Sequence, residues 1–391
     1  MSDSHSISNI RMMSIDYRTG VMSIVDQNGL IHSVRDNLVL NSGPVLRSTF
    51  LTVENRVEFL TLHGQFSIVL GPSQQHVNVP VVYLDQNHWI DFARWRKNPN
   101  QLDTARAEFF ELLDSLIMSE RIVLPISGAH IIEMSRRDGP NRLDLASTML
   151  HYCRGWQLRS VLALRRAELR CIFGGIPLTN EEVITLDPES VFDMASNHAF
   201  DGYPDWEIAG LLRRQVWAAT LVSLMLDEEP TERAEVNLAA KWAQSFGSLA
   251  NELRNNPKAK ARSREATKVR FIIDLGTDLA GAAKESGASP DDFLRWMQQK
   301  AEADFSLLPG VARLREVLHL RISNADEKWE ANDLNDWMYL CYAGAYCDLV
   351  LGERKTINYL RRVERAVPPG AILHRRAADA TADLKSLLVR E

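Results

Sequence analysis

From Val79 onward the chain alternates short apolar runs with helical periods, and this alternation constrains the fold more than any other feature. The run VPVVYLD is rich in β-branched residues and ends in an acid, which is typical of a strand buried on both faces. A helical period follows over residues 104–120. A second apolar run, RIVLP, then leads to a helix that Ser127 is predicted to cap.

The same alternation returns near the C-terminus. A helix is predicted over residues 334–346, CDLVLG is predicted to be a strand, and ERKTINYLRRV a helix. AILHR is predicted to be a last strand before a final helix over residues 377–389. Because strand–helix alternation is typical of parallel sheets, the sequence predicts an α/β fold whose parallel sheet is flanked by helices.

Two other regions have different patterns. Residues 1–75 contain short β-branched and aromatic runs separated by RTG, QNG and HGQ, which predict a small β-rich N-terminal domain. Roughly five strands fit this pattern. Residues 79–391 are predicted to form the α/β domain, interrupted at about 178–309 by a large helical insertion. GPSQQHVNVP is predicted to be a linker between the two domains.

Composition excludes several classes of protein. Lys plus Arg total 45 and Asp plus Glu total 51, for a net charge of −6, which excludes a uniformly basic coat for nucleic acid. The four cysteines form no C-x-x-C pair, so we expect reduced thiols rather than disulfides or structural zinc. The longest uncharged apolar stretch, residues 215–226, has only 12 residues, and the N-terminus lacks a signal peptide's apolar core. We therefore expect a cytoplasmic protein that does not associate with membranes.

Acidic residues follow the predicted strands or begin the helices after them. Because ligands collect outside the carboxyl ends of parallel strands, these acids are expected to converge at one edge of the sheet. Converging carboxylates repel one another unless a cation lies among them, and oxygen ligands without cysteine or clustered histidine suit Mg²⁺ or Mn²⁺. The candidates are Asp85, Glu133, Asp333, Asp336, Asp348 and Glu353.

Three segments together resemble the PIN (PilT N-terminal) domain family of metal-dependent nucleases: VVYLDQNHWIDF, IVLPISGAHIIEMSR and NDLNDWMYLCYAGAYCDLVLGERK. Members of that family have an Asp after the first strand and a Glu on the helix after the second. A third acid starts a later helix, and a fourth follows the next strand. The resemblance implies a PIN-like parallel sheet flanked by helices, here split by the helical insertion.

The resemblance also implies roles for individual residues. Asp85 matches the first acid, Asn87 the family's Asn or Ser, Glu133 the second acid and Asp336 the third. By the same resemblance, Asp85 and Asp336 are expected to hold one or two metal ions. Glu133 is expected to bind metal through water or to orient the attacking water as a base.

The fourth acid has two alternatives. The family pattern of a strand, a Thr and an Asp aligns Leu351 with the Thr and Glu353 with the Asp. Some distant relatives have an acid before this strand, which here is Asp348. Both acids are therefore candidate metal ligands, and Asp348 is also a candidate catalytic residue.

The implied function is metal-assisted hydrolysis of phosphodiester bonds, with Mg²⁺ or Mn²⁺ as cofactor and RNA as the expected substrate. An endoribonuclease of a toxin, defence or stress-response type is expected. A catalytically inactive PIN-like scaffold that binds RNA or protein, and a structure-specific DNase of the same superfamily, are the alternatives. The N-terminal domain or the insertion is expected to bind a protein partner or to form a homo-oligomer. Candidate substrate-binding residues are Asn87, Arg136, Arg137, Lys258 and Arg262.

Each acid also has an ordinary structural interpretation. Asp85 and Asp333 can cap helices, and Asp348 can be solvated surface. Glu133 can pair with Arg137 one turn later. The basic run around Lys258 and Arg262, PKAKARSREATKVR, can equally be a solvated helix face.

Overall fold

The computed structural model describes residues 10–35, 43–71, 78–137, 139–174, 178–192, 206–227, 235–324, 326–330 and 333–389. These residues form a mixed α/β protein with an antiparallel sheet near the N-terminus and a small parallel sheet farther along the chain. Most of the predicted linker lies outside the described residues.

The N-terminal sheet has six antiparallel strands in the described residues, in the order β3-β2-β1-β4-β5-β6. The strands are β1 (Ile10–Asp16), β2 (Val21–Asp26), β3 (Ile31–Arg35), β4 (Val45–Leu51), β5 (Arg56–Thr61) and β6 (Gly64–Val69). The sequence pattern did not predict β4, because the polar Ser48 occupies a core-facing position and breaks the apolar alternation. The Ser48 hydroxyl lies 2.9 Å from the Tyr17 hydroxyl.

The parallel sheet has the strand order β11-β10-β7. Its strands are β7 (Val82–Leu84), β10 (Leu349–Leu351) and β11 (Ile372–His374), and they confirm the strands predicted in VPVVYLD, CDLVLG and AILHR. RIVLP is also predicted to be a strand, but within it only Val123 pairs, through an isolated parallel bridge to Val81. A separate two-stranded antiparallel sheet consists of β8 (Gln157–Leu158) and β9 (Ile184–Thr185).

The described residues also contain sixteen α-helices. The first six are α1 (Gln86–Lys97), α2 (Thr104–Met118), α3 (Gly128–Ser135), α4 (Pro140–Cys153), α5 (Val161–Gly174) and α6 (Asn180–Val183). Together with α6, the helices in the region of the predicted insertion are α7 (Trp206–Leu226), α8 (Glu235–Asn255), α9 (Pro257–Lys260), α10 (Ser263–Glu285), α11 (Pro290–Gln299) and α12 (Ala301–Leu307). The last four are α13 (Pro309–Ser323), α14 (Asp333–Tyr346), α15 (Arg354–Val363) and α16 (Ala377–Leu387).

Two buried clusters cover the two faces of the parallel sheet. Val82 and Leu84 belong to one cluster and Tyr83 to the other, as the alternation of side chains along a strand requires. This burial on both faces explains why the strands are continuous apolar runs in the sequence.

The N-terminal sheet does not pack as an isolated domain. Its core residues Met13, Phe50 and Phe59 share one buried cluster with Phe92 of α1 and Leu212 of α7. In the same contact, the Gln215 amide of α7 donates hydrogen bonds to the Met13 carbonyl at 3.2 Å and the Ser48 hydroxyl at 2.7 Å. Helix α7 of the predicted insertion therefore packs against the antiparallel sheet.

None of the helices in the described ranges combines the length and apolarity needed to cross a lipid bilayer. All four cysteines are free thiols, and three of them, Cys153, Cys341 and Cys347, are buried.

Candidate active site

A cleft of about 320 Å³ lies at the carboxyl edge of the parallel sheet. Seven of the residues singled out in the sequence line it, namely Asp85, Asn87, Glu133, Arg136, Arg137, Asp336 and Glu353. Gln86, Ala129 and Ile132 complete the lining. The cleft therefore brings together four acids from segments that are far apart in sequence.

Asp85 follows β7 directly and both of its carboxylate oxygens are held by backbone groups. Oδ1 accepts the N–H of Gln86 at 2.8 Å, which makes Asp85 the N-cap of α1. Oδ2 accepts the N–H of Glu353 at 3.1 Å, across the end of the neighbouring strand β10. Asp85 therefore caps a helix and also lines the cleft, so its structural role does not exclude a functional one.

Glu133 lies on α3, whose first turn is tied to the strand that carries Asp85. The backbone N–H of Ser127 donates to Nδ1 of His130 at 3.0 Å, and Nε2–H of His130 donates to the Leu84 carbonyl at 2.9 Å. Burial lowers the pKa of His130 to about 4, so the ring is neutral at pH 7. Both ring nitrogens are occupied, and His130 thus positions Glu133 relative to Asp85.

Close packing of α3 on α14 brings Glu133 and Asp336 into the same cleft. Gly128 begins α3 beside Tyr339 of α14, where a Cβ atom would lie 2.1 Å from the tyrosine oxygen. Only glycine allows this approach. Asp333, one turn before Asp336, faces elsewhere: its carboxylate accepts hydrogen bonds from the Glu330 N–H at 2.9 Å and from Arg321 at 3.0 Å.

Burial and mutual repulsion raise the pKa values of three carboxyl groups in the cleft. Burial raises the pKa of Asp85 to about 6, against the opposing effect of its two backbone hydrogen bonds. Burial raises the pKa of Asp336 to about 7, with further increases from the charges of Asp85 and Glu353. Burial, followed by the charges of Asp85 and Asp336, raises the pKa of Glu133 to about 8, while Arg137 and Arg136 lower it.

The structure does not bring Asp348 to this cleft, so its prediction as a catalytic and metal-binding residue is corrected. Asp348 precedes β10, and its Oδ2 accepts the N–H of Val81, which precedes β7, at 2.8 Å. Parallel pairing of Leu349 with Val82 places Asp348 at the amino edge of the sheet, opposite Asp85. Of the two alternatives for the fourth acid, Glu353 is the one that lines the cleft.

The predicted substrate contacts of the basic run also lie elsewhere. Lys258 is on the short helix α9 and Arg262 precedes α10, and neither lines the cleft. Both are exposed, which agrees with the interpretation of this run as a solvated surface. Arg136 and Arg137, immediately after α3, are the arginines that border the acids.

Gln86 is a cleft residue that sequence reasoning missed. Its side chain is 2 % exposed, and neither its amide nitrogen nor its amide oxygen has a hydrogen-bond partner. A buried amide without partners costs about 1–3 kcal/mol, so a bound ligand or water that satisfied it would be favoured. The only signal in the sequence is its place between Asp85 and Asn87.

The chemistry of the acids suits a hard divalent ion, but their carboxylates are not closely grouped. The donors are carboxylate oxygens without sulfur, the set that Mg²⁺ and Mn²⁺ prefer. Within the described ranges, however, no three His, Cys, Asp or Glu side chains are grouped closely enough to hold one ion. An ion held by one or two of these carboxylates and by water or substrate oxygens, as is usual for Mg²⁺, needs no such group of three.

Comparison with known proteins adds no assignment: no protein-family model, no curated protein and no solved structure matches the chain.

Proposed function

We propose that the chain is a metal-dependent endoribonuclease whose parallel sheet and surrounding helices form a PIN-like domain. The observation that carries this proposal is the convergence of Asp85, Glu133, Asp336 and Glu353 on one cleft from four separate segments. Three of these carboxyls have raised pKa values, so their placement opposes the stability of the metal-free protein. A cation bound among them would offset this cost.

Each residue of the cleft has a role in the proposed reaction. Asp85, Asp336 and Glu353 would hold Mg²⁺ or Mn²⁺, which supplies an activated water and neutralises charge on the leaving oxygen. Glu133 would accept a proton from the attacking water. Its pKa of about 8 in the metal-free protein would be lowered by a cation bound beside it, which favours the carboxylate form that a base needs. Arg136 and Arg137 would hold the phosphate through charge-assisted hydrogen bonds, and Asn87 and Gln86 would contact the adjoining nucleotide.

The proposal includes RNA as the substrate and the cytoplasm as the location. The antiparallel sheet and the helical insertion would then bind a partner protein or a second copy of the chain. The net charge of −6 favours a substrate held by a few local contacts over one held by a basic surface.

A second candidate is a PIN-like scaffold that binds RNA or protein without cleaving it. The observation that favours it is the spacing of the acids, since no group of three within the described residues is close enough for one ion. This candidate and the nuclease differ in one measurable property, which is metal-dependent cleavage.

Cleavage of labelled total RNA, tRNA and flap-containing DNA with Mn²⁺, Mg²⁺ or EDTA tests the proposal. We expect metal-dependent RNA fragments that vanish in Asp85→Asn and Asp336→Asn. The matched control is Asp348→Asn, which changes an acid of the same sheet at its other edge and keeps an oxygen for the Val81 N–H. Preferred cleavage of the flap DNA would make the protein a DNase. If folded protein cleaves nothing with either metal, the scaffold is favoured; if the Asp85 and Asp336 variants cut as fast as the parent, the assigned residues are wrong.

A further inference from the structure

A second cavity, of about 470 Å³, lies between the N-terminal sheet and the ends of helices α1 and α4. Its volume is within the range of small-molecule sites, which is roughly 300–1,000 Å³. The cavity is distinct from the acidic cleft. Asp85 caps the first turn of α1, whereas Arg96, which lines the second cavity, is in its last turn. At 1.5 Å per residue the two places are about 15 Å apart along the helix.

One wall of this cavity is formed by residues paired across strands β4, β5 and β6. Thr49 of β4 lies opposite Glu58 of β5, which in turn lies opposite Ser67 of β6. Arg47 is opposite Leu60 in the next row. This pairing sets a guanidinium group and two hydroxyl groups beside apolar surface on one side of the cavity.

The opposite wall carries Arg96 of α1 and His151 of α4. Burial lowers the pKa of His151, and the positive charges of Arg96 and Arg154 lower it further. The His151 ring offers a nitrogen for a hydrogen bond at this wall. Leu60 of β5, on the same face of the sheet as Arg47, and Leu150 of α4 supply apolar surface to the cavity.

The charges in the cavity are not balanced. Glu58, its only acid among the lining residues, pairs with Arg56 at 3.0 Å. Arg47 and Arg96 have no acidic partner among the described residues. By contrast, the neighbouring Arg94 of α1 pairs with Asp91 at 3.3 Å. Two guanidinium groups thus line one cavity without an ion pair of their own, and guanidinium groups match the geometry of phosphate oxygens.

We propose that this cavity binds a phosphorylated nucleoside, with the phosphate held between Arg47 and Arg96. Leu60 and Leu150 provide the apolar contact that a base needs, and Thr49 and Ser67 offer hydroxyls to the sugar or to the polar edge of the base. A free nucleotide and a nucleotide within an RNA strand share this chemistry. The site is independent of the metal chemistry assigned to the acidic cleft.

Isothermal titration calorimetry of the full-length protein in EDTA tests this site, since EDTA removes metal-dependent binding at the acidic cleft. The probes are AMP, GMP, CMP and UMP, with ribose 5-phosphate and the four nucleosides as fragments that lack the base or the phosphate. We expect at least one nucleotide to bind about tenfold or more tightly than either of its fragments, because both parts contribute contacts. A 5′-phosphorylated tetraribonucleotide that binds more tightly than any mononucleotide would identify an RNA strand as the source; the reverse order would identify a free nucleotide.

Arginine variants locate the binding. Arg47→Ala and Arg96→Ala should each weaken nucleotide binding about tenfold or more, since each removes a charge-assisted contact. Both side chains are exposed, so the variants are expected to fold. The matched control is Arg94→Ala on the same helix, which should bind as the parent does. The proposal is overturned if no nucleotide binds at millimolar concentration, if ribose 5-phosphate binds as tightly as the nucleotides, or if neither arginine variant weakens binding.

Discussion

Glu133 should destabilise the metal-free protein at alkaline pH, and its neutral analogue Glu133→Gln should relieve this cost. Burial and the charges of Asp85 and Asp336 raise the pKa of Glu133 from 4.5 to about 8 in the folded protein. Between these two pH values the folded chain binds more protons than the unfolded chain, so stability falls as pH rises. The stabilising contribution of the protonated group is complete below pH 4.5 and is lost as pH rises through about 8.

The size of the effect follows from the pKa shift. At 1.36 kcal/mol per pKa unit, the full shift corresponds to about 5 kcal/mol as an upper bound. Part of it comes from Asp85 and Asp336, which titrate in the same range. Because coupled groups share the cost, we expect Glu133→Gln to be more stable than the parent by about 2–4 kcal/mol at pH 9 and nearly equal to it at pH 4.5.

Urea unfolding in EDTA, followed by tryptophan fluorescence from pH 4.5 to pH 9, measures this difference. Glu108→Gln, which changes an exposed acid on α2, is the matched control and should follow the parent at every pH. The reasoning is refuted if Glu133→Gln stays within about 0.5 kcal/mol of the parent across the whole range, the effect expected of an ordinary surface substitution. A variant less stable than the parent at pH 9 would refute it as well.

Three further predictions concern the same cleft. Mg²⁺ or Mn²⁺ should raise the thermal unfolding midpoint, because an ion at 100 times its Kd adds about 2.7 kcal/mol to the free energy of unfolding. The increase should be larger at pH 8 than at pH 6, where more of the carboxyls are protonated, and smaller in Asp85→Asn. An equal increase in the variant would place the ion elsewhere. Gly128→Ala should lower the free energy of unfolding by about 1–3 kcal/mol, because its Cβ would lie 2.1 Å from the Tyr339 oxygen. Adding Tyr339→Phe should recover part of this loss in thermal unfolding, and no recovery would contradict the contact. Gln86→Leu should raise the melting temperature of the metal-free protein, since it removes a buried amide without partners. The same change should raise KM for RNA cleavage. A lower melting temperature would show that the amide is satisfied in the folded protein.

The sequence predicts the parallel sheet well because its strands are buried on both faces. Val82, Tyr83 and Leu84 form a continuous apolar run, and the acid after such a run lies at the carboxyl edge by the geometry of parallel strands. The convergence of Asp85 and Glu353 follows from that rule. Asp348 precedes its strand, so the same rule places it at the opposite edge, and grouping it with the converging acids did not take this order into account.

Features that depend on tertiary contacts could not be predicted in the same way. Ser48 breaks the apolar pattern of β4 because its hydroxyl is satisfied by Tyr17 and Gln215, which are distant in sequence. The burial of Gln86 depends on packing around the cleft, and a glutamine in the first turn of a helix is ordinarily solvated. In the sequence, His130 resembles any polar residue near the start of a helix, and only its contact with the Leu84 carbonyl shows its role.

The hydrogen bond from the Glu353 N–H to Asp85 joins two residues of the cleft that are 268 positions apart in the chain. Pairing of β7 with β10 has a similar separation, so this pairing can form only after nearly all of the chain has been made. Contacts of such long range form late and slowly. Any fragment that ends before Glu353, whether from interrupted synthesis or from proteolysis, therefore lacks the complete set of acids that line the cleft.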